Sequence, residues 1–199
     1  MEKTSQRLII AITGASGVRY GVRLLELLRP LPIETHLVLS RSAEVTLACE
    51  TELKIADVQA LADHWYPAGD MAAAISSGSF RTMGMIIAPC SVRSMSEIAT
   101  GVTTSLVTRA ADVVLKERRR LVLMVRETPL HTGHLRTMTQ LSEMGAIIAP
   151  PVPAFYARPA SLEAMIDHSL GRVLDLFDID AGGVTRWGET RPARARRKD

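Results

Sequence analysis

The sequence has little cysteine, few aromatic residues and no long apolar run. Cys49 and Cys90 are the only cysteines among 199 residues, which excludes a disulfide-rich secreted framework. No apolar run reaches the roughly 18 residues that a membrane span requires, and the N-terminus carries no cationic and apolar leader. These absences predict a soluble, cytoplasmic protein with reduced thiols and no membrane partner.

Aromatic residues make up 4% of the chain, whereas hydrophobic residues make up 47%. An aliphatic core of this kind is typical of buried parallel strands covered by helices. The length suits one domain, which we assign to residues 1–189. The formal net charge of +3 comes from the remaining residues 190–199, a basic segment that we expect to be disordered and solvated rather than a nucleic-acid-binding surface.

Apolar segments of strand length alternate with helical patterns or with stretches long enough for crossovers. This βαβ alternation predicts an α/β fold with a single doubly wound parallel sheet. Residues 42–80 mix helical patterns with loop patterns, so their order stays open. A proline-rich loop at 150–159 should precede a final helix over 161–177 and could wall a pocket. The predicted strands are Leu8–Ile12, Thr35–Leu39, Met83–Ala88, Leu121–Val125 and Ala146–Ala149.

The first predicted strand ends in a glycine-rich turn that leads directly into a helical pattern. Gly14, Gly17 and Gly21 there allow positive φ angles or close backbone approach. Free N–H groups at the helix start, together with Ser16, would then face an anion such as a phosphate. The same glycines would also allow the helix simply to pack closely on the strand, so the turn alone leaves both interpretations open.

Small hydroxyl and charged residues follow several of the predicted strands. Because the carboxyl ends of parallel strands share one crevice, we expect these side chains to converge on a phosphate-bearing cofactor. Capping of the following helices is the simpler role for some of the serines. The residues are Ser16, Ser40, Ser91, Ser94, Arg126 and Glu127.

Two observations weaken a nicotinamide cofactor and favour FMN. The second strand is not followed by an acidic residue that could hold a ribose, although Arg41 could meet a 2′-phosphate. None of Tyr20, Tyr66 and Tyr156 is followed four residues later by a lysine that would complete a proton-donating pair. FMN needs only one phosphate site and polar groups around its ring system.

Two further charged patterns are ambiguous from spacing alone. Arg109, Asp112 and Lys116 would share one helix face, either as a solvated stripe or as part of a second anion site. His131 and His134 have spacing compatible with a metal pair, but no nearby cysteine or acidic cluster completes a site, so we expect helix-end histidines and no metal.

Taken in order, several blocks of the chain resemble the UbiX-type flavin prenyltransferases, a family that includes accessory subunits of phenolic-acid and hydroxyarylic-acid decarboxylases. The resemblance runs from Arg7 to Glu189, with Arg120 where the family commonly has proline. The blocks are TGASGVRYGVRLLELL, the Ser40 strand end, APCSVRS, TRAADVVLKERR, VLMVRETPLH, PAFY and RWGE.

The resemblance implies a flavodoxin-like or Rossmann-like subunit, commonly a homododecamer, that binds reduced FMN as a substrate. Such proteins transfer a dimethylallyl group from dimethylallyl phosphate to N5 and C6 of the flavin, and the product serves UbiD-type decarboxylases. The implied FMN contacts are Gly14, Ala15, Ser16, Ser40, Ser91, Val92, Arg93, Ser94 and Arg126. The implied contacts to the prenyl phosphate are Arg109, Lys116, Arg126, Tyr156 and Arg172.

Four residues are expected to carry the chemistry. Glu127 would protonate the departing phosphate and Lys116 would neutralise its charge, while Glu50 and Ser16 would relay a proton from the flavin ring. Two alternatives remain at this stage. One is an FMN-carrying subunit of an aromatic-acid decarboxylase complex, and the other is a flavin-dependent cysteine decarboxylase, which the APCSVRS block disfavours because it lacks the asparagine of that class.

Overall fold

Six parallel strands form one sheet, in the order β3-β2-β1-β4-β5-β6. The structure is a computed structural model that describes residues 6–188 of the chain. The strands are continuous apolar runs because helices cover both faces of a doubly wound sheet. Their bounds are β1 Gln6–Ile12, β2 Ile33–Leu39, β3 His64–Tyr66, β4 Gly84–Cys90, β5 Arg120–Val125 and β6 Ile147–Ile148.

Helices follow the strands and pack on the two faces of the sheet. The odd-numbered β1 residues Ile9 and Ala11 share a buried cluster with residues of α4, α5 and α6. The helix α1 contacts β1, β2 and β4. The described helices are α1 Val18–Leu28, α2 Arg41–Glu50, α3 Ile55–Gln59, α4 Val92–Thr100, α5 Leu106–Lys116, α6 Thr132–Glu143 and α7 Leu162–Asp175, with short 3₁₀ turns at Ala74–Ser76 and Phe155–Ala157.

The predicted α/β class and doubly wound parallel sheet are confirmed. The five predicted strands match β1, β2, β4, β5 and β6, and without β3 their order is that of flavodoxin. The short edge strand β3, which lies in the segment left open, extends this order to that of a dinucleotide-binding sheet. It was missed because three residues are too few to show a periodicity.

The three glycines of the first turn have different structural roles. Only Gly17 has a positive φ angle, 96°, and it precedes α1 as its N-cap. A Cβ on Gly21 would lie 2.3 Å from the carbonyl oxygen of Ala88, and one on Gly14 would lie 2.3 Å from the Cβ of Ser42. Close packing therefore explains Gly14 and Gly21, and backbone conformation explains Gly17.

Contacts divide the chain into two compact units, of which the structure describes residues 6–151 and 152–188. The second unit contains α7, close to the predicted final helix. The predicted basic segment 190–199 lies outside the described residues. Across residues 6–188, no helix combines the length and apolar character that a bilayer crossing requires.

Candidate functional site: a cavity at the carboxyl ends of the strands

A cavity of about 330 Å³ lies where β1, β2 and β4 end. This is the edge at which the strand order reverses, the usual ligand position in open α/β sheets. Its volume falls within the range of small-molecule sites, roughly 300–1,000 Å³. Five of the residues predicted to contact FMN line it: Gly14, Ser40, Ser91, Arg93 and Ser94.

Three helices begin at this cavity, each capped by a serine that also lines it. Ser40 accepts a hydrogen bond from the N–H of Ala43 at 3.1 Å at the start of α2. Ser91 and Ser105 play the same part for α4 and α5. The N-termini of α2, α4 and α5, each with a partial positive charge, therefore all face the cavity. The serines serve both as caps and as cavity lining, so the two roles expected of them coexist.

Thr13 joins the ends of the two central strands beneath the cavity. Its hydroxyl is fully buried, donates to the carbonyl oxygen of Pro89 at 2.7 Å and accepts from the N–H of Ser91 at 2.8 Å. Ser91 in turn donates to the hydroxyl of Ser94 at 3.1 Å. This chain of hydrogen bonds fixes the start of α4 relative to β1.

Glu50, the last residue of α2, caps the N-terminus of α1. Its carboxylate accepts the N–H of Gly17 at 2.8 Å and that of Val18 at 3.0 Å. Burial by itself raises the pKa of Glu50, but hydrogen bonds from Ser16, Gly17 and Val18, together with the charge of Arg126, hold it below its ordinary value. Glu50 is therefore ionised at neutral pH.

Arg126 and Glu127 directly follow β5. The N–H of Arg126 donates to the carbonyl oxygen of Cys90 at 3.1 Å, which ties this strand end to that of β4. The Glu127 carboxylate accepts the N–H of Thr128 at 2.9 Å. Ser16 and Arg126 both lower the pKa of the Glu50 carboxyl group. Ala15, Ser16, Val92 and Arg126 lie outside the cavity lining.

The cavity also has a charged side, where the predicted Arg93 pairs with Glu97, a residue that the sequence analysis missed. The Nε of Arg93 donates to Glu97 at 2.8 Å, and Thr104 donates to the other oxygen of Glu97 at 3.4 Å. The i, i+4 spacing of Arg93 and Glu97 could have indicated this pair. The lining residues not predicted are Arg41, Ser42, Ala68, Gly69, Glu97, Thr104, Ser105 and Val107.

Two of the predicted phosphate ligands lie on α5 in local ion pairs. Arg109 contacts Asp112 at 2.7 Å and donates to the carbonyl oxygen of Ser76 at 3.1 Å. Lys116 contacts Glu117 at 2.6 Å. Lys116 ends α5, about 15 Å along the helix axis from the cavity end. Both side chains lie outside the cavity lining of their own chain.

Within the second unit, Tyr156 and Arg172 belong to one local network. Tyr156 packs edge-to-face on Trp187 at 5.3 Å, and its hydroxyl lies 3.4 Å from the Nε2 of His168. Arg172 pairs with Asp175, which also accepts two hydrogen bonds of 2.9 Å from Arg186. The RW pair of the RWGE block thus positions both predicted phosphate ligands.

The two remaining groups singled out in the sequence have structural roles. The Nδ1 of His131 accepts the N–H of Gly133 at 3.0 Å, and its ring stacks on that of His134 at 3.6 Å, so His131 is a helix-end histidine. Burial raises the pKa of the Cys90 thiol to about 12, which makes it unsuitable as a nucleophile at neutral pH.

The chain is similar to known flavin-dependent proteins over most of its length. The family model described as Flavoprotein matches residues 1–181. The flavin prenyltransferase UbiX of Escherichia coli strain K12 is 61% identical over 175 residues, which cover 87% of this chain and 93% of that protein. The UbiX of Thauera aromatica is 52% identical over 91% of this chain and 93% of its own length.

Solved structures of UbiX-type proteins are also similar to this chain. AnUbiX (PadA1), crystallised with FMN and dimethylallyl pyrophosphate, has a TM-score of 0.90 and 52% identity, covering 92% of this chain and 97% of that one. A dodecameric FMN-dependent UbiX-like decarboxylase from Escherichia coli O157:H7 also has a TM-score of 0.90, with 49% identity, covering 92% and 99%.

Proposed function

This chain belongs to the flavoprotein family and, within it, to the UbiX-type flavin prenyltransferases, and on that premise we propose that it transfers a dimethylallyl group from dimethylallyl phosphate to reduced FMN. The observation that carries the proposal is the donor-lined cavity at the carboxyl ends of the strands; beside its Gly14 turn, the ionised Glu50 caps α1 from outside the cavity lining. The first feature suits a phosphate-bearing flavin, and the second suits removal of a proton from its ring.

The residues of the cavity fit FMN. Three capped helix N-termini and the hydroxyls of Ser40, Ser91 and Ser94 supply hydrogen-bond donors and acceptors for a phosphate and for the polar edge of the ring. The close contact of Gly14 with Ser42 leaves no room for a side chain at that turn. We assign FMN binding to these residues and to Arg93, which also lines the cavity, with Ala15, Ser16, Val92 and Arg126 at its margin. Reduced FMN supplies two nucleophilic positions, N5 and C6.

Ser16 and Glu50 are assigned the proton transfer. The Ser16 hydroxyl bonds to the Glu50 carboxylate, and the N-terminus of α1 stabilises the ionised form of that carboxylate. The first new bond joins N5 to the prenyl group and releases the phosphate. Once a proton from the released phosphate has added to the prenyl double bond, C6 bonds to the cationic carbon and loses its own proton, which Ser16 would carry to the Glu50 carboxylate.

Arg126 and Glu127 are assigned to the leaving group. When the bond from the allylic carbon to the phosphate oxygen breaks, both electrons go to the oxygen, and the negative charge needs a fixed cation and a proton. The guanidinium of Arg126 is suited to bind phosphate oxygens, and Glu127 is the adjacent carboxyl group that can donate the proton.

The other assigned phosphate ligands are Arg109, Lys116, Tyr156 and Arg172. Because Lys116 lies at the far end of α5 from the cavity of its own chain, we infer that a neighbouring copy supplies it. The dodecameric state of the Escherichia coli O157:H7 relative supports this arrangement. We propose that this chain also forms a dodecamer and that a UbiD-type decarboxylase receives the product.

The test is an anaerobic reaction of the purified protein with reduced FMN and dimethylallyl phosphate, followed by release of the flavin and measurement of its mass. We expect a gain of one dimethylallyl unit. A parallel reaction with the pyrophosphate distinguishes the two donors, and faster transfer from the pyrophosphate would overturn the assigned donor. Unchanged flavin with both donors, despite bound FMN, would overturn prenyl transfer and favour a carrier subunit.

A further test addresses Glu127. We expect Glu127→Gln to abolish turnover and leave FMN binding intact, because the amide cannot protonate the phosphate. Glu143→Gln, an exposed change at the end of α6, is the matched control. Full activity of Glu127→Gln would contradict the assigned role.

A further inference from the structure

A second polar cluster lies at the other end of the strands from the cavity, towards the amino ends of β1, β2 and β3. Glu34 and His36 are two residues apart on β2, so their side chains share one face of the sheet. His64, the first residue of β3, lies directly opposite His36 in the parallel ladder. Within residues 6–188, this group brings three ligand atoms within 4.8 Å of one another.

The imidazole rings of His36 and His64 both direct their Nε2 atoms at one carboxylate oxygen of Glu34. The Nε2 of His36 lies 3.1 Å from Oε1 of Glu34, and the Nε2 of His64 lies 3.4 Å from that atom. Ligand atoms around a tetrahedral zinc ion, at bond lengths of roughly 2.0–2.2 Å, lie about 3.3 Å from one another. The two separations are compatible with shared coordination of one ion, which would replace the present contacts between the imidazoles and the carboxylate.

We propose that Glu34, His36 and His64 bind a divalent transition-metal ion of the zinc class at the amino end of the sheet. Two imidazoles and a carboxylate are ligands that suit such an ion, and water would complete a fourth position. No local spacing indicates this cluster, because His64 lies 28 residues beyond His36, in the segment whose fold the sequence left open.

The surroundings of the three residues resemble the outer shell of metal sites. The Nδ1 of His36 lies 2.9 Å from the hydroxyl of Tyr66, which can accept its proton and leave Nε2 free for the metal. Arg7 donates its Nε to both Glu34 oxygens, at 3.2 Å and 3.3 Å, and so fixes the orientation of the carboxylate.

The rings already have most of the required arrangement. His36 is 2% exposed, so its ring is held in place by the surrounding residues. The His64 ring stacks on it with centroids 4.8 Å apart and an angle of 18° between the planes. Because His64 is half exposed, its ring can rotate to direct the Nε2 lone pair at a shared ion. A bound ion would thereby attach the short edge strand β3 to β2.

The test uses full-length protein without a polyhistidine tag, treated with a chelator and titrated with Co²⁺ and then Zn²⁺. We expect one Co²⁺ per chain with the visible absorption of tetrahedral cobalt, displaced by Zn²⁺. His64→Gln should lose this binding. His134→Gln removes a histidine from the other stacked pair and should keep it, which makes it the matched control.

Three results would overturn the proposal: no Co²⁺ or Zn²⁺ binding by the wild type, binding that survives in His64→Gln, or binding that is lost in His134→Gln. A spectroscopic measurement on the wild type tests the same proposal without depending on whether a variant folds. In the wild type, the ¹⁵N signals of the Nε2 atoms of His36 and His64 should shift on Zn²⁺ addition, whereas those of His131 and His134 should not. The opposite pattern would also overturn it.

Discussion

The two ends of β2 carry opposite chemistry only about 20 Å apart. At the carboxyl end, Ser40 belongs to a ring of hydroxyls and helix N-termini around an open cavity. At the amino end, Glu34 and His36 meet His64 in a cluster whose polar atoms bond to one another. The first region presents N–H and hydroxyl donors to an anion, and the second presents lone pairs to a cation.

This difference follows from the direction of the strands. In a parallel sheet every helix that follows a strand begins at the carboxyl edge, so uncompensated N–H groups accumulate there. The amino edge receives helix C-termini and no such donors, and its polar side chains must therefore satisfy each other. Substitutions at one edge should affect its own ligand and leave the other edge unchanged.

The largest effect is expected at Glu50. Glu50→Gln keeps an oxygen that can accept the N–H groups of Gly17 and Val18 but removes the base, so prenyl transfer should fall by roughly 100-fold or more. FMN affinity should change by only a few-fold, and Co²⁺ binding at the other edge should be unaffected.

Anaerobic single-turnover measurements check this prediction, with flavin fluorescence reporting binding. Glu44→Gln, an exposed change in the first turn of the same helix α2, is the matched control and should transfer at the wild-type rate. If Glu50→Gln were as active as Glu44→Gln, the proton relay would be wrong.

A pair of glycine substitutions at the cavity should differ in stability. Gly14→Ala would place a Cβ 2.3 Å from that of Ser42, so the turn must shift at a cost of roughly 1–3 kcal/mol. A Cβ on Gly69, which also lines the cavity, would meet nothing within 4 Å, and Gly69→Ala should stay within about 1 kcal/mol of wild type. Urea unfolding measures both, and equal stabilities would refute the packing role of Gly14.

Two helix caps offer a smaller and more selective comparison. Ser91→Ala and Ser161→Ala each remove an N-cap, of α4 and α7 respectively, and each should lower the free energy of unfolding by about 1 kcal/mol. Only Ser91 lines the cavity, so only Ser91→Ala should also weaken FMN binding. Equal FMN affinities for the two variants would mean that the Ser91 hydroxyl acts only as a cap.

The smallest effect is a pH dependence at the carboxyl edge. Because the folded-state pKa of Glu50 lies below its ordinary value of 4.5, its contribution to stability is present above that pH. It should be lost as the pH falls through the lowered folded-state pKa. Unfolding of wild type and Glu50→Gln between pH 7 and pH 3 should show a stability difference that shrinks below about pH 4.5, and a constant difference would contradict this account.

Of the predicted residues that follow strands, the cavity lining includes Gly14, Ser40 and Ser91 but not Ser16 or Arg126. Gly14, Ser40 and Ser91 come directly after apolar runs, so the alternation of elements places them at one edge. Ala68 and Gly69 line the same cavity, but no local pattern indicates this, because both lie in a loop.

The two carboxyl groups assigned to the chemistry, those of Glu127 and Glu50, also differ in how far the sequence alone could place them. The sequence could place Glu127 at a strand end, because the residue follows the apolar run of β5 directly. Glu50 was assigned to the proton relay through family resemblance alone. Its contact with the N-terminus of α1 joins residues 33 positions apart and exists only after α1 and α2 pack together.

What the sequence determined by itself is the class of fold and the end of the sheet where the cavity lies, because both depend on local periodicity and on the order of strands along the chain. Tertiary structure alone decided the pKa of Glu50, the edge position of β3 and the meeting of His36 with His64. Each of these depends on distances between residues far apart in sequence, and such distances are set only when the strands pair and the helices pack.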